Sequence, residues 1–149
     1  MIVKKNKMIS GRLVPGTNLI CGLKTVCNEN NITNGNILSC IGSLKKAKYI
    51  YAVDDEENVI KIRYCDPVSV EGPLELITCQ GTIGQENKYI TIHLHGMFSD
   101  KDAKIYGGHF CDDGNEILAT CEYLIVGYET PVVRRENDSE TGFNLLKFN

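Results

Sequence analysis

The chain's 149 residues, 42% hydrophobic and 23% charged, suffice for one globular domain with a buried core and exclude a chain that is disordered throughout. A net charge of −3 sets up no global positive field, which argues against direct DNA binding and against attraction to an anionic membrane surface. No run nears the roughly 18 apolar residues of a membrane span, and the opening MIVKKNKMIS has no apolar stretch behind its lysines, so neither a span nor a secretory signal is expected.

Along the chain, RLVPGTNLICGLKTVCNENNITNG reads as a strand end, a Pro15-Gly16 turn and then a helix capped by Thr17 or Asn18. Leu19, Ile20, Leu23, Val26 and Cys27 fall on one apolar stripe of that helix. Beyond Asn34-Gly35 the period changes to that of strands. NILSCIGSL, AKYIYAV, NVIKIRY, ELITCQGTI, KYITIHLHGMF, AKIYGGHF and EILATCEYLIV are short β-rich runs divided by turn residues. Joins as short as VDDEEN and GQEN favour antiparallel pairing over crossover helices. The polar ETPVVRRENDSETG reads as a surface excursion before a last strand GFNLLKF, its Arg134-Arg135 pair able to contact phosphate but more simply solvated among acidic neighbours. The expectation is one α+β domain over 1–149, its core about 8–148, with a mainly antiparallel sheet and one principal α-helix packed on it. Seven cysteines without a CxxC pair signal neither a disulfide framework nor a zinc ribbon, which suits a reducing, cytoplasmic setting.

All three histidines, His93, His95 and His109, lie within TIHLHGMFSDKDAKIYGGHF. In YITIHLH the aliphatic residues alternate with Thr91, His93 and His95, so the two imidazoles share one face with Cα atoms about 6.7 Å apart. If residues 99–103 form the hairpin loop, Phe98 faces Lys104, His93 faces His109, and Gly107 stands opposite His95, where its missing side chain leaves room for a metal or small ligand. A slip of one residue would turn His109 to the other face. Three neutral imidazoles with a free fourth position suit a divalent transition metal, zinc first among them, with nickel, cobalt, copper or iron also acceptable to nitrogen donors. Such an ion acidifies water toward neutrality, which is how this donor set becomes catalytic. Asp100, Asp102, Glu75 and Glu122 are the acids within reach in sequence, yet none is placed as an acid or base, and the catalytic residue stays unassigned. Cys111, two residues beyond His109, is a weaker ligand candidate, more simply a buried thiol. The alternative is that the histidines cluster without a metal and the double glycine serves a bulge or tight packing.

The chain contains no GxGxxG, GxxxxGK[ST] or GxSxG, so dinucleotide, P-loop and hydrolase-elbow chemistries lack support. A cupin-like site begins from HxH but wants a glutamate where Ser99 and Asp100 stand.

RLVPGTNL, GNILSCIGSLKKAKY, GPLELITCQGTI, HLHGMFSDKDAKIYGGHF and CEYLIV occur in an order that resembles the PPC domain, the plants-and-prokaryotes-conserved domain, from about Met8 to Phe148. The resemblance implies an α+β fold with a central antiparallel sheet, assembly as a homotrimer, and a metal held at the positions of His93, His95 and His109 in some stand-alone prokaryotic members. Plant relatives carry AT-hooks ahead of the domain and act in transcription, whereas Gly11-Arg12 here belongs to the opening strand. Without a hook, an acidic domain lacks the cationic contacts that supply most nonspecific affinity for DNA. Two functions follow as expectations. One is a metal site in a small cleft that binds or transforms a small molecule. The other is an oligomeric, DNA-associated regulatory module built on self-association and protein contacts.

Overall fold

The structure, a computed structural model, describes residues 6–149, so the first half of the opening segment, expected to lack a leader, lies outside the described residues. In chain order the elements are β1 (Asn6–Leu13), α1 (Leu19–Glu29), β2 (Gly35–Ile50), β3 (Ala52–Asp54), β4 (Ile62–Tyr64), β5 (Val68–Glu86), β6 (Tyr89–Ser99), β7 (Ile105–Phe110), β8 (Glu116–Tyr128), β9 (Val133–Asn137) and β10 (Asn144–Phe148). The fold is α+β: an eight-stranded, almost wholly antiparallel sheet with one helix, and β3–β4 as a separate two-stranded ribbon. No helix of the described residues is long and apolar enough to cross a membrane.

Asn18, not Thr17, caps α1, its side-chain oxygen accepting from the Cys21 N–H at 3.0 Å. The expected stripe is the buried face: Leu19, Ile20, Leu23 and Cys27 are fully buried, with Val26 packed at their margin. Two of the expected short strands, NILSCIGSL and the start of AKYIYAV, are one 16-residue strand, β2. NVIKIRY is mostly turn, and only its last three residues pair, as β4 against β3.

β2 pairs with β5, β5 with β6, β6 with β7, and β7 with the end of β2, so four strands close on themselves. Closure divides each strand into an inner and an outer face. Leu76, Cys79, Leu94, Phe98 and Phe110 are fully or almost fully buried, and α1 packs on the same core. Asn87 and Lys88, both at positive φ (48° and 71°), form the two-residue turn between β5 and β6 and set the register of that pair.

The segment read as a solvated excursion is instead strand β9, paired with β10 along its length and bridged in parallel to β5 at Gln85 and Arg134. The sequence pattern there is too polar to announce a strand, because its pairing depends on tertiary anchors. Asn34 is one of them. Its side chain is buried, and its Oδ1 accepts from the buried Val133 N–H at 2.9 Å, while its carbonyl accepts from Tyr128 N–H. Asn115, fully buried, does the same for the end of β7 by accepting from Lys48 N–H and donating to the Cys111 carbonyl.

Replacing Asn34 with Ala strands the Val133 N–H in an apolar setting, so the expected cost is about 1–3 kcal/mol in urea unfolding. Amide exchange should rise selectively in β9 and β10. An unchanged unfolding midpoint would show that β9 needs no such anchor.

Candidate metal centre

The β6–β7 hairpin turns through Asp100–Lys104, one residue later than expected. Asp100 N–H donates to the Lys104 carbonyl and the Ala103 N–H to the Asp100 carbonyl, with Ala103 at φ 61°. The Asp100 carboxylate accepts from the Asp102 and Lys104 N–H groups and from the Tyr106 hydroxyl. These donors, Lys104 first, hold its carboxyl below the usual range. Asp100 thus builds the turn, and Glu75 and Glu122 sit across from Ser99 and Arg12 in strand pairs, so none of the sequence acids stands in the site.

The later turn moves the pairing by an even number of residues. Phe98 faces Tyr106 rather than Lys104, and His109 lies opposite His95 rather than His93. Because the shift is even, His109 keeps its face, and the three imidazoles still converge. Ring centroids lie 4.7 Å apart for His93 and His109, 4.8 Å for His93 and His95, and 5.1 Å for His95 and His109. One ring nitrogen from each lies within 4.8 Å of the other two. The Nε2 atoms of His93 and His95 are 3.0 Å apart, and His109 Nδ1 is buried with no hydrogen-bond partner.

Gly107 does not face His95 as the sequence register has it; it stands opposite Met97. A Cβ there would meet the Gly96 carbonyl at 2.8 Å and Met97 Cγ at 3.1 Å, so the bare position serves close packing more than an empty gap. It still borders a shallow cleft with His95, Met97 and Ile105. Gly108 matters for the closure itself, since a Cβ on it would lie 2.5 Å from the Ile50 carbonyl of β2. That approach is what presses the β7 backbone, and with it His109, against β2. Cys111 is not part of the cluster of ligand atoms; its N–H donates to the Lys48 carbonyl, and burial pushes its thiol up.

Two further side chains reach the site from elements that sequence reasoning left outside it. Tyr64 of β4 meets the His109 ring edge-on at 5.9 Å, and Arg135 of β9 lines a pocket with His93 and His109. Only the polar doublet Arg134-Arg135 marked that strand, and its acidic neighbours concealed it.

All three imidazoles are held below their ordinary pKa, chiefly by desolvation. The His109 value falls to about 4, with the charges of His93, His95 and Arg135 adding to burial and Asp112 opposing them. At neutral pH the cluster is therefore three uncharged nitrogen bases. That is the protonation state that metal coordination requires. Three clustered imidazoles, with the buried His109 Nδ1 left unpartnered, fit an ion of the transition series, and the all-nitrogen donor set disfavours calcium or magnesium.

A family model described as the Plants and Prokaryotes Conserved (PCC) domain matches residues 2–129. Among curated proteins, the chain is 26% identical over 132 residues to the bifunctional protein GlmU of a Synechococcus strain, aligning over 89% of this chain but only 19% of that protein. The chain thus spans about a fifth of the length of that relative. A metal-containing protein from Archaeoglobus fulgidus superposes with a TM-score of 0.78 at 25% identity, covering 98% of this chain and 95% of its own. A plant- and prokaryote-conserved (PPC) protein from Pyrococcus horikoshii shares the fold with a TM-score of 0.81 at 20% identity, over 99% and 97% of the two chains.

Lowered histidine pKa values have a consequence for stability without metal. His109 binds a proton near pH 6.5 when unfolded but only near about 4 when folded. Between those values the unfolded state holds more protons, so the contribution is complete above pH 6.5 and is lost as pH falls toward 4. Chelator-treated protein should lose about 1–2 kcal/mol through this group between pH 7.5 and 4.5, after allowance for solvent screening. The His109→Gln protein should show a correspondingly shallower decline in urea midpoints, and parallel pH profiles would contradict the assignment.

Proposed function

The chain belongs to the Plants and Prokaryotes Conserved domain family, and on that premise we propose that it holds a divalent transition metal, zinc first, through His93, His95 and His109. The observation that carries the reading is the convergence of three uncharged imidazoles, one ring nitrogen of each within 4.8 Å of the others, in a cluster where His109 Nδ1 is buried and unpartnered. The metal-containing character of the Archaeoglobus relative adds to it. When bound, such an ion supplies Lewis acidity to an oxygen-bearing ligand. The chain's own residues supply the rest. β6 and β7 fix the rings, Tyr64 packs on one side of His109, and Arg135 brings a positive charge to the pocket beside His93 and His109. The site is read as one that takes a small molecule. Among the described residues, no carboxylate joins the ligand cluster.

We also propose that the chain works as a homotrimer. Leu38, Met97 and Ile105 are exposed to 45%, 48% and 55% on ordered strands, apolar surface that a neighbouring chain would cover. Met97 and Ile105 border one cleft with His95, and Leu38 borders a second with His93 and His95. A neighbouring copy over this surface would bury apolar side chains and enclose the exposed His95 together. The DNA-associated alternative is less favoured, since a net charge of −3 gives little for counterion release.

After chelation and reloading, wild type should retain about one zinc per chain, and the double variant His93→Ala, His109→Ala almost none, by elemental analysis. Zinc at a hundredfold excess over its Kd should raise wild-type stability by about 2.7 kcal/mol and leave the variant unchanged. Equal zinc content in both would refute the site.

For assembly, light scattering should give three times the 16.6 kDa of one chain, and Met97→Glu with Leu38→Glu should reduce it to one. A wild-type protein of monomer mass would end the trimer proposal.

A further inference from the structure

Beyond the metal reading, on which it partly rests, the pocket on the C-terminal side of the histidine cluster has a chemistry of its own. The cavity is about 240 Å³ and is lined by Tyr64, His93, His109, Arg135, Phe143, Asn144 and aliphatic side chains of β2 and β10. Its composition is lopsided. It carries one permanent cation and no carboxylate; apart from the two imidazoles and the amide of Asn144, its walls are aromatic or aliphatic.

Arg135 explains little of the fold. Its Nε is buried and has no hydrogen-bond partner, and among the described residues its guanidinium enters no ion pair. Leaving a buried guanidinium donor unmatched carries a desolvation cost that structure alone does not offset. The nearby acid that acts on His109, Asp112, is already engaged by Lys24 Nζ at 2.8 Å. Positive charge therefore accumulates here: a guanidinium beside a donor cluster suited to a divalent cation. Such a pocket attracts an anion.

The lining decides which anion. A phosphate carries about two charges at neutral pH and is ordinarily cradled by several N–H groups or cations. This pocket offers one planar fork, which matches a carboxylate. The volume is below the roughly 300 Å³ at which pockets for drug-sized ligands begin. The apolar walls suit a short hydrocarbon body.

We propose that Arg135 binds the carboxylate of a small aliphatic monocarboxylic acid in this cavity, beside the ion held by the histidines. The residue lies beyond the stretch matched by the family model, on the strand that Asn34 anchors. Strand β9 thereby serves the site by carrying the guanidinium to the histidines.

Isobutyrate and inorganic phosphate serve as probes in titration calorimetry, each against zinc-loaded and metal-stripped protein, with zinc content measured separately. Wild type should bind isobutyrate saturably and more tightly than phosphate. Arg135→Gln should bind isobutyrate at least about tenfold more weakly while keeping wild-type zinc content. Arg135→Lys, which keeps the charge and loses the planar fork, should fall between them, and it carries the test should the glutamine protein fail to fold. Three results would overturn the proposal: no saturable isobutyrate binding to wild type, equal affinity in Arg135→Gln, or phosphate preferred over isobutyrate. Failure of the metal reading looks different. Wild type would take up no zinc, yet isobutyrate binding to the stripped protein would still depend on Arg135.

Discussion

Parity in one β-hairpin underlies the site. Side chains alternate across a strand, so His93 and His95 on β6 can meet His109 on β7 only if the hairpin pairs an odd-numbered residue with an odd-numbered one. The five-residue turn pinned by the Asp100 carboxylate provides that pairing, and moving the turn as a whole along the chain preserves it. The closed arrangement of β2, β5, β6 and β7 then does two things at once. It buries the opposite faces of the same strands, Leu94, Phe98 and Phe110, and it holds the backbone beneath the imidazoles against lateral movement. Gly108 permits the contact of β7 with β2, so closure and ring placement share one steric requirement.

Electrostatics follow from this placement. Partial burial keeps the imidazoles uncharged, mutual proximity reinforces it, and the positive charge of Arg135 acts in the same direction on His93 and His109. Bases held neutral above their folded pKa values are ready to take a cation without first releasing protons. The same guanidinium would be an unfavourable neighbour for a bound cation were nothing negative to stand between them. A carboxylate on Arg135 would screen that repulsion, which ties the metal reading and the carboxylate pocket into one electrostatic scheme.

The outer surface carries another imbalance. Met97 and Ile105 are exposed apolar side chains around the exposed His95, while the pocket side is covered by β4, β9 and β10. One side of the triad is enclosed by its own chain, and the other is exposed.

The sequence by itself determined much of this. Alternation in YITIHLH put two imidazoles on one face, the 3.6-residue stripe from Leu19 to Cys27 defined the helix and its buried side, and short polar joins specified antiparallel pairing. Those are local properties, set by backbone period within a few residues. What only the tertiary structure decided involves partners distant in the chain. The register of β7 depended on which residue built the turn, since a five-residue loop can begin at Ser99 or Asp100 with equal plausibility until the Asp100 carboxylate finds its three donors. Gly107 passed from ligand gap to packing contact with that change of register. Strand β9 was illegible because VRREN has no apolar alternation; its order comes from Asn34, 99 residues away, and from the edge that β10 provides. Arg135 accordingly joined the site through long-range hydrogen bonds that leave no periodic trace in the sequence.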